Sequence, residues 1–326
     1  MKRLDSKLAT IRTGDYQPGD FIIADAKDAD MGGGAPAPGP RTDGKPGFKT
    51  RAEYLDAMRR MTASDLVDVM LMSASNAETL VQEGIFDNSA VTPAVRLNDA
   101  TDIWNMRHGG YTSQPALNFA TARLSKVREF ADLGLFSVTF TNDNLRDVHN
   151  LEAYAAFREA ADGVGMRHFL EVFNPNVDIG IADEDIGSYV TDCILKALAG
   201  ITASDRPLFL KVAYNGPQAM SDLAGYDPTG LIVGVLGGGK GTTRDTFELV
   251  DQASRHGARV ALFGRKINLA EAPEVLVSLM RRVVEGDISP EEAVRHYHND
   301  LTAAHIEPHR SLEADLEITE PVLKAG

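Results

Sequence analysis

Short apolar runs recur along this chain, each closed by a glycine, proline or polar turn signal, with longer amphipathic stretches between them. The runs begin near residues 21, 66, 91, 136, 168, 207, 231 and 259. Their length and their Val, Ile, Leu and Phe content mark them as strands buried on both faces. The stretches between them read as helices over 51–61, 77–83, 115–133, 151–161, 185–199, 218–223, 243–256 and 273–285. The one over 115–133 is expected to be a single long helix stopped by Gly134. Strands alternating with helices pair in parallel through crossover connections, and eight such units ending near residue 286 match a (β/α)8 TIM barrel. A doubly wound open sheet would need a glycine-rich dinucleotide loop after the first strand, and Asp25 to Gly34 matches that poorly.

The pattern predicts one α/β domain over 1–326, with the barrel core at about 20–286 and an N-terminal arm or short helix over 1–20. An extra helix near 290–304 follows, and the acidic tail from about Glu307 is expected to be loose or an oligomer contact. The glycine- and proline-rich stretch 31–47 reads as a mobile lid or a disordered insertion, with the lid favoured because a polar strand end precedes it.

One apolar run is interrupted by a charge. In Pro207-Leu-Phe-Leu-Lys-Val-Ala-Tyr-Asn-Gly216, Leu208, Leu210 and Val212 share one face, while Phe209, Lys211 and Ala213 share the other. An unpaired buried ammonium costs several kcal/mol or gives up its proton. Lys211 is therefore either a salt-bridged lysine at a strand end or an amine held ready as a nucleophile.

In such barrels the working residues sit at the C-terminal strand ends. Those positions offer Asp25 and Lys27 on the first strand, Arg96 and Asn98 on the third, and Thr139, Thr141 and Asn142 on the fourth. The fifth places Glu171 on the face of Phe169 and Phe173, and the sixth supplies Lys211 and then Asn215. After the seventh, backbone N–H groups of Gly237, Gly238 and Gly239, together with the following helix start, are expected to converge on an anion. Arg265 after the eighth would be a fork-shaped donor to the same phosphate. Gly234–Gly241 is no Walker loop, because Gly241 stands where Ser or Thr must follow the lysine. Singly, each feature has an ordinary structural explanation: a turn, a surface ion pair, an interior salt bridge. Jointly they describe a neutral amine that condenses with a ketone, with Lys27 as the cation that lowers the pKa of Lys211 and Glu171 as a proton shuttle.

Composition narrows the partners. The chain has 326 residues, 43% of them hydrophobic and 25% charged, and a net charge of -14. That charge argues against nucleic acid or an anionic membrane, yet a few local cations suffice for a phosphorylated small molecule. The single cysteine, Cys193, fits a reducing compartment, and no apolar run follows the charged start, so a cytoplasmic location is expected. The eight histidines are scattered without metal-ligand spacing, and neither metal nor cofactor is expected.

Phe169-Leu170-Glu171-Val172, Phe209-Leu210-Lys211-Val212, the glycine-rich loop after the seventh strand and Gly264-Arg265 together resemble the class I (Schiff-base) aldolase superfamily. The pattern is most similar to tagatose-bisphosphate and sulfofructose-phosphate aldolases, and more distantly to deoxyribose-phosphate and archaeal fructose-bisphosphate types. The resemblance implies Lys211 as the imine-forming lysine, Glu171 as acid/base partner, Asp25 as a polar group at the first strand end, and Gly238, Gly239 and Arg265 as phosphate ligands. Residues and resemblance together lead to the expectation of a carbon–carbon lyase acting on a phosphorylated ketose or sugar-acid derivative, and the extra C-terminal helix and acidic tail offer contact surfaces for a homo-oligomer. A phosphosugar isomerase or epimerase, with Lys211 as an electrostatic clamp, and a non-catalytic phosphosugar-binding protein are the alternatives. The first strand reads Ala24-Asp25-Ala26-Lys27-Asp28, unlike the Asp-Gln-Arg-Gly or Asp-His-Gly of those families.

Overall fold

The computed structural model describes residues 2–41 and 45–325. Its strands are β1 (Ile22–Lys27), β2 (Val69–Met72), β3 (Thr92–Arg96), β4 (Asp99–Ala100), β5 (Asn118–Phe119), β6 (Leu133–Thr139), β7 (Arg167–Phe173), β8 (Leu210–Val212), β9 (Gly234–Leu236) and β10 (Val260–Phe263). The helices are α1 (Arg3–Thr13), α2 (Asp30–Gly33), α3 (Arg51–Ala63), α4 (Ala74–Gln82), α5 (Leu124–Val127), α6 (Asn144–Val164) and α7 (Ile186–Ala199). They continue with α8 (Pro217–Tyr226), α9 (Thr243–Arg255), α10 (Arg265–Asn268), α11 (Pro273–Val284), α12 (Pro290–Ala303) and α13 (Leu312–Asp315). Eight parallel strands close in the order β1-β10-β9-β8-β7-β6-β3-β2, which is the TIM barrel. Among the described residues, no helix is long and apolar enough to cross a membrane.

Because side chains alternate along a strand, closure divides the apolar residues into two shells. Ile23, Met70, Val95, Leu210 and Val212 face outward and pack under the helices. Ile22, Ala24, Ala26, Val69, Leu71, Phe169, Phe209 and Leu262 fill the barrel interior. Helix α1 plugs the N-terminal end of that interior with Leu4, Leu8 and Ile11. Its Arg3 and Lys7 meet the wholly buried Asp68 at 2.6 and 3.1 Å, so the plug is also pinned electrostatically.

Three expectations are corrected. The stretch 115–133 is not one helix: Asn118–Phe119 pairs antiparallel with Asp99–Ala100, and only Leu124–Val127 is helical. Asp99 accepts both the backbone N–H and the hydroxyl of Thr121, offering the chain an alternative to helical hydrogen bonds. Trp104 packs on Tyr111 and Phe119, with ring centroids 4.6 and 5.2 Å away, and holds this excursion together. Gly134 ends no helix; it lies in β6, where a Cβ would fall 1.9 Å from Leu97 Cδ1.

The C-terminal tail is not loose. Its Asp315 is buried against His298 at 3.0 Å, and the segment to Leu323 packs on α9 and the loops before it. The described part of 31–47 is ordered chain rather than a disordered insertion. It opens with α2, accepts the Asn105 N–H on Gly32 O at 2.8 Å, and forms a bridge between Pro40 and Phe48. Residues 42–44 of that stretch lie outside the described residues.

Candidate active site

The β7–β8 register sets Glu171 directly beside Lys211, and the β6–β7 register sets Ser137 beside Glu171. All three share the interior parity of Phe169 and Phe209, so neighbouring strands present them to the same space. Arg96, at the end of β3, reaches in from the same face. The result is an unbroken chain of alternating charge. Lys211 Nζ lies 2.5 Å from Glu171 Oε1, and Arg96 Nη2 donates to Glu171 Oε2 at 2.7 Å. Arg96 Nε donates to Asp28 Oδ2 at 2.5 Å and Nη1 to Ser137 Oγ at 2.8 Å. Each of the four charged side chains is at most 10% exposed. Two residues deeper, Phe169 and Phe209 stack with centroids 4.5 Å apart and give the cluster a dry floor.

Burial pushes the Asp28 carboxyl up, but Arg96 and then Lys211 outweigh it and hold its pKa below the ordinary carboxylate range. Burial likewise opposes the Arg96 charge, and Asp28 and Glu171 more than restore it. Glu171 thus has a basic side chain on each oxygen, a geometry that fixes its orientation. Nearby, Asp102 is drawn to Thr139 Oγ1, and burial, aided by the Glu171 charge, raises its pKa against that bond.

A cavity of about 390 Å³ opens over this cluster. Gly237, Gly238, Gly264 and Arg265 line one side, and Ile103, Phe173 and the 32–37 segment line the rest. Gly238 has φ +64 and open space where a Cβ would point, while at Gly237 a Cβ would press on the Phe263 ring at 3.1 Å. Among the described residues, the backbone N–H groups of Gly238 and Gly239 meet no backbone acceptor, and Arg265 makes no ion pair. These groups are therefore free to take an anion. The helix start is not. Thr243 N donates to Asp315 at 2.8 Å and Asp245 N to Thr242 Oγ1 at 3.0 Å, so the protein itself caps α9. Lys240 also turns away, to His309 Nδ1 at 2.6 Å.

The structure thus gathers Lys211, Glu171, Arg96, Gly237, Gly238 and Arg265 around one cavity, with Gly239 in the same loop. Asp25 and Lys27 are elsewhere. Closure turns Ala24, Ala26 and Asp28 inward, so Asp25 and Lys27 face the helices and pair with each other at 2.8 Å. Burial raises the Asp25 pKa, against the opposing pull of Lys27. Lys27 lines a second cavity of about 800 Å³, beside Lys49, Glu53 and Arg60, and is not the cation beside Lys211. Asn215 exchanges amide hydrogen bonds with Asn174 at 2.7 and 3.0 Å and borders a different pocket. Asp28 and Ser137 are the site residues that sequence reasoning missed. The signal for Asp28 was the small apolar pair Ala24 and Ala26, which fits a crowded barrel interior better than Asp25 and Lys27 do.

No family model matches the chain, and no curated protein resembles it in sequence. Solved structures do resemble it in shape. A Schiff-base-forming fructose-1,6-bisphosphate aldolase is 16% identical with a TM-score of 0.62, over 86% of this chain and 99% of its own. An archaeal fructose-1,6-bisphosphate aldolase gives 16% and 0.61, over 87% and 99%. A fructose-bisphosphate aldolase from Slackia heliotrinireducens gives 10% and 0.64, over 90% and 89%. At such identities the likeness speaks for the barrel fold.

Proposed function

We propose that this chain is a carbon–carbon lyase that forms an imine between Lys211 and the ketone of a phosphorylated ketose or sugar-acid derivative. The observation that carries the reading is the 2.5 Å contact between Lys211 Nζ and Glu171 Oε1 inside a closed barrel, beneath the anion donors of the Gly238 loop and Arg265. The likeness in shape to solved Schiff-base aldolases supports it.

The chemistry follows from the contacts. Glu171 Oε1 takes a proton from the Lys211 ammonium, and the freed lone pair attacks the ketone carbon to give a carbinolamine. Glu171 returns the proton to the departing hydroxyl, water leaves, and the iminium forms. The bond between the carbon next to the iminium and the hydroxyl-bearing carbon beyond it then breaks, its electron pair flows towards the iminium nitrogen as an enamine, and that hydroxyl gives its proton to the Glu171 carboxylate as the departing fragment becomes an aldehyde. Protonation of the enamine and hydrolysis release the second product and the lysine. Arg96 keeps Glu171 aimed throughout by holding Oε2. Lys211 and Arg96 balance Glu171 and Asp28, which leaves Arg265 as the positive charge at the mouth. One phosphate matches it.

Borohydride reduction in the presence of ketose phosphates, followed by mass spectrometry, should place the adduct on Lys211. Absence of any Lys211 adduct across a broad phosphosugar panel would sink the proposal. Because Lys211 is ion-paired with the Glu171 carboxylate, an isomerase using it as a clamp is the second reading. There Lys211→Arg keeps part of the activity, whereas the imine route loses nearly all of it.

A further inference from the structure

The two loops that carry the anion donors, 237–242 and 264–266, are fastened to one stretch of the C-terminal tail. Lys240 meets His309 at 2.6 Å, Thr242 Oγ1 donates to Glu317 O at 2.7 Å, and Thr243 N donates to Asp315 at 2.8 Å. Asp245 accepts Thr319 N at 2.8 Å, Thr319 Oγ1 at 2.5 Å and Glu320 N at 3.2 Å. Lys266, the neighbour of Arg265, has a wholly buried side chain whose ammonium lies 2.7 Å from Glu320 Oε1 and 3.5 Å from Lys240 O. An ammonium so buried goes where its carboxylate is, because leaving it unpaired costs several kcal/mol. Gly241, with φ +59, leaves room for this: a Cβ there would sit 3.0 Å from Glu320 Oε1. None of these tail residues lines the cavity above Lys211.

We infer that Glu320 is a positioning residue for anion binding: through Lys266 and the Lys240 carbonyl it fixes Arg265 and the Gly237–Gly239 loop at the spacing one phosphate needs. The inference rests on the phosphate clip of the proposed function, not on the imine. Its consequence is a split between the two ends of the substrate. Loosening Glu320 weakens the phosphate end and leaves Lys211 untouched.

The test uses the full chain and inorganic phosphate, measured by titration calorimetry. Losing a charged hydrogen bond to Lys266 corresponds to about tenfold weaker phosphate binding in Glu320→Gln, with partial rescue in Glu320→Asp. Borohydride trapping of unphosphorylated dihydroxyacetone on Lys211 should be equal in both and in the parent. Phosphate affinity in Glu320→Gln within about twofold of the parent overturns the positioning role. Should Glu320→Gln not fold, Glu320→Asp, whose shorter side chain stretches the bond to Lys266, is held to the same criterion. A parent protein that binds no phosphate overturns the clip and this inference together. Failure of imine trapping alongside phosphate binding that depends on Glu320 removes only the lyase reading.

Discussion

Replacing Arg96 by Met tests the charge chain directly. The side chain is 4% exposed and donates to Asp28, Glu171 and Ser137, and Met retains much of its stem volume without the fork. Two carboxylates would then share Lys211 as their sole cation within the cluster. Removing one partner of a buried pair typically costs about 3–5 kcal/mol, and with two acceptors released the upper half of that range is expected at pH 7. The pH dependence gives the sharper check. In the parent, the folded-state pKa of Asp28 lies below its unfolded value, so this group contributes stability above the unfolded pKa, near 4, and loses it as pH falls through the folded one. In Arg96→Met, burial prevails and the folded pKa of Asp28 rises above the unfolded value. The variant is then relieved by protonation and penalised as pH rises through the raised pKa. The gap between parent and variant, measured by urea unfolding, should therefore narrow steadily from pH 7 toward pH 4. A gap below about 1 kcal/mol at pH 7, or one that does not change with pH, would show that the guanidinium is not neutralising Asp28 and Glu171.

Three further outcomes are expected. His168, buried with Nε2 at 2.8 Å from Tyr154 Oη, has its pKa lowered to about 4 by burial. Its unfolded state binds the proton more tightly, so stability present above pH 6.5 is lost as pH falls toward 4, up to about 3 kcal/mol; in His168→Gln the thermal midpoint should fall less over that range. Gly234→Ala would set a Cβ 2.6 Å from Val260 Cβ and 2.8 Å from Leu210 O, and should cost about 1–3 kcal/mol in chemical denaturation, since β9 cannot move away from both neighbours. Gly238→Ala has open space but φ +64, so its cost, about 1–2 kcal/mol, is backbone strain alone, and any larger loss of phosphate affinity measured by calorimetry reports the loop's role in holding the anion.

Much of the fold was legible because a parallel barrel strand is apolar on both faces, which leaves a run that stands out from the helices beside it. The excursion at 98–123 was not legible. Within 115–133 the apolar spacing of Leu117, Leu124 and Val127 suits a helix, but Asp99 and Trp104, which precede that stretch, bind it at Thr121 and Phe119. The tail is illegible for a related reason: its acidic residues look solvated until Lys266 and the Thr243 N–H at the start of α9 are brought against them.

By itself the sequence determined eight strands, the helical units between them apart from 115–133, and the shared parity of Lys211 with Phe209 and of Glu171 with Phe169. It also determined that glycines and Arg265 would follow the last two strands. Only the tertiary structure decided which face of β1 looks inward. A period of two says which residues travel together, but barrel closure chooses their side, through pairings such as Ala24 with Val69 and Asp25 with Phe263. That choice sent Asp25 and Lys27 to the helices and brought Asp28 to Arg96. It turned a lone lysine on an apolar strand into the end of a buried chain of four charges.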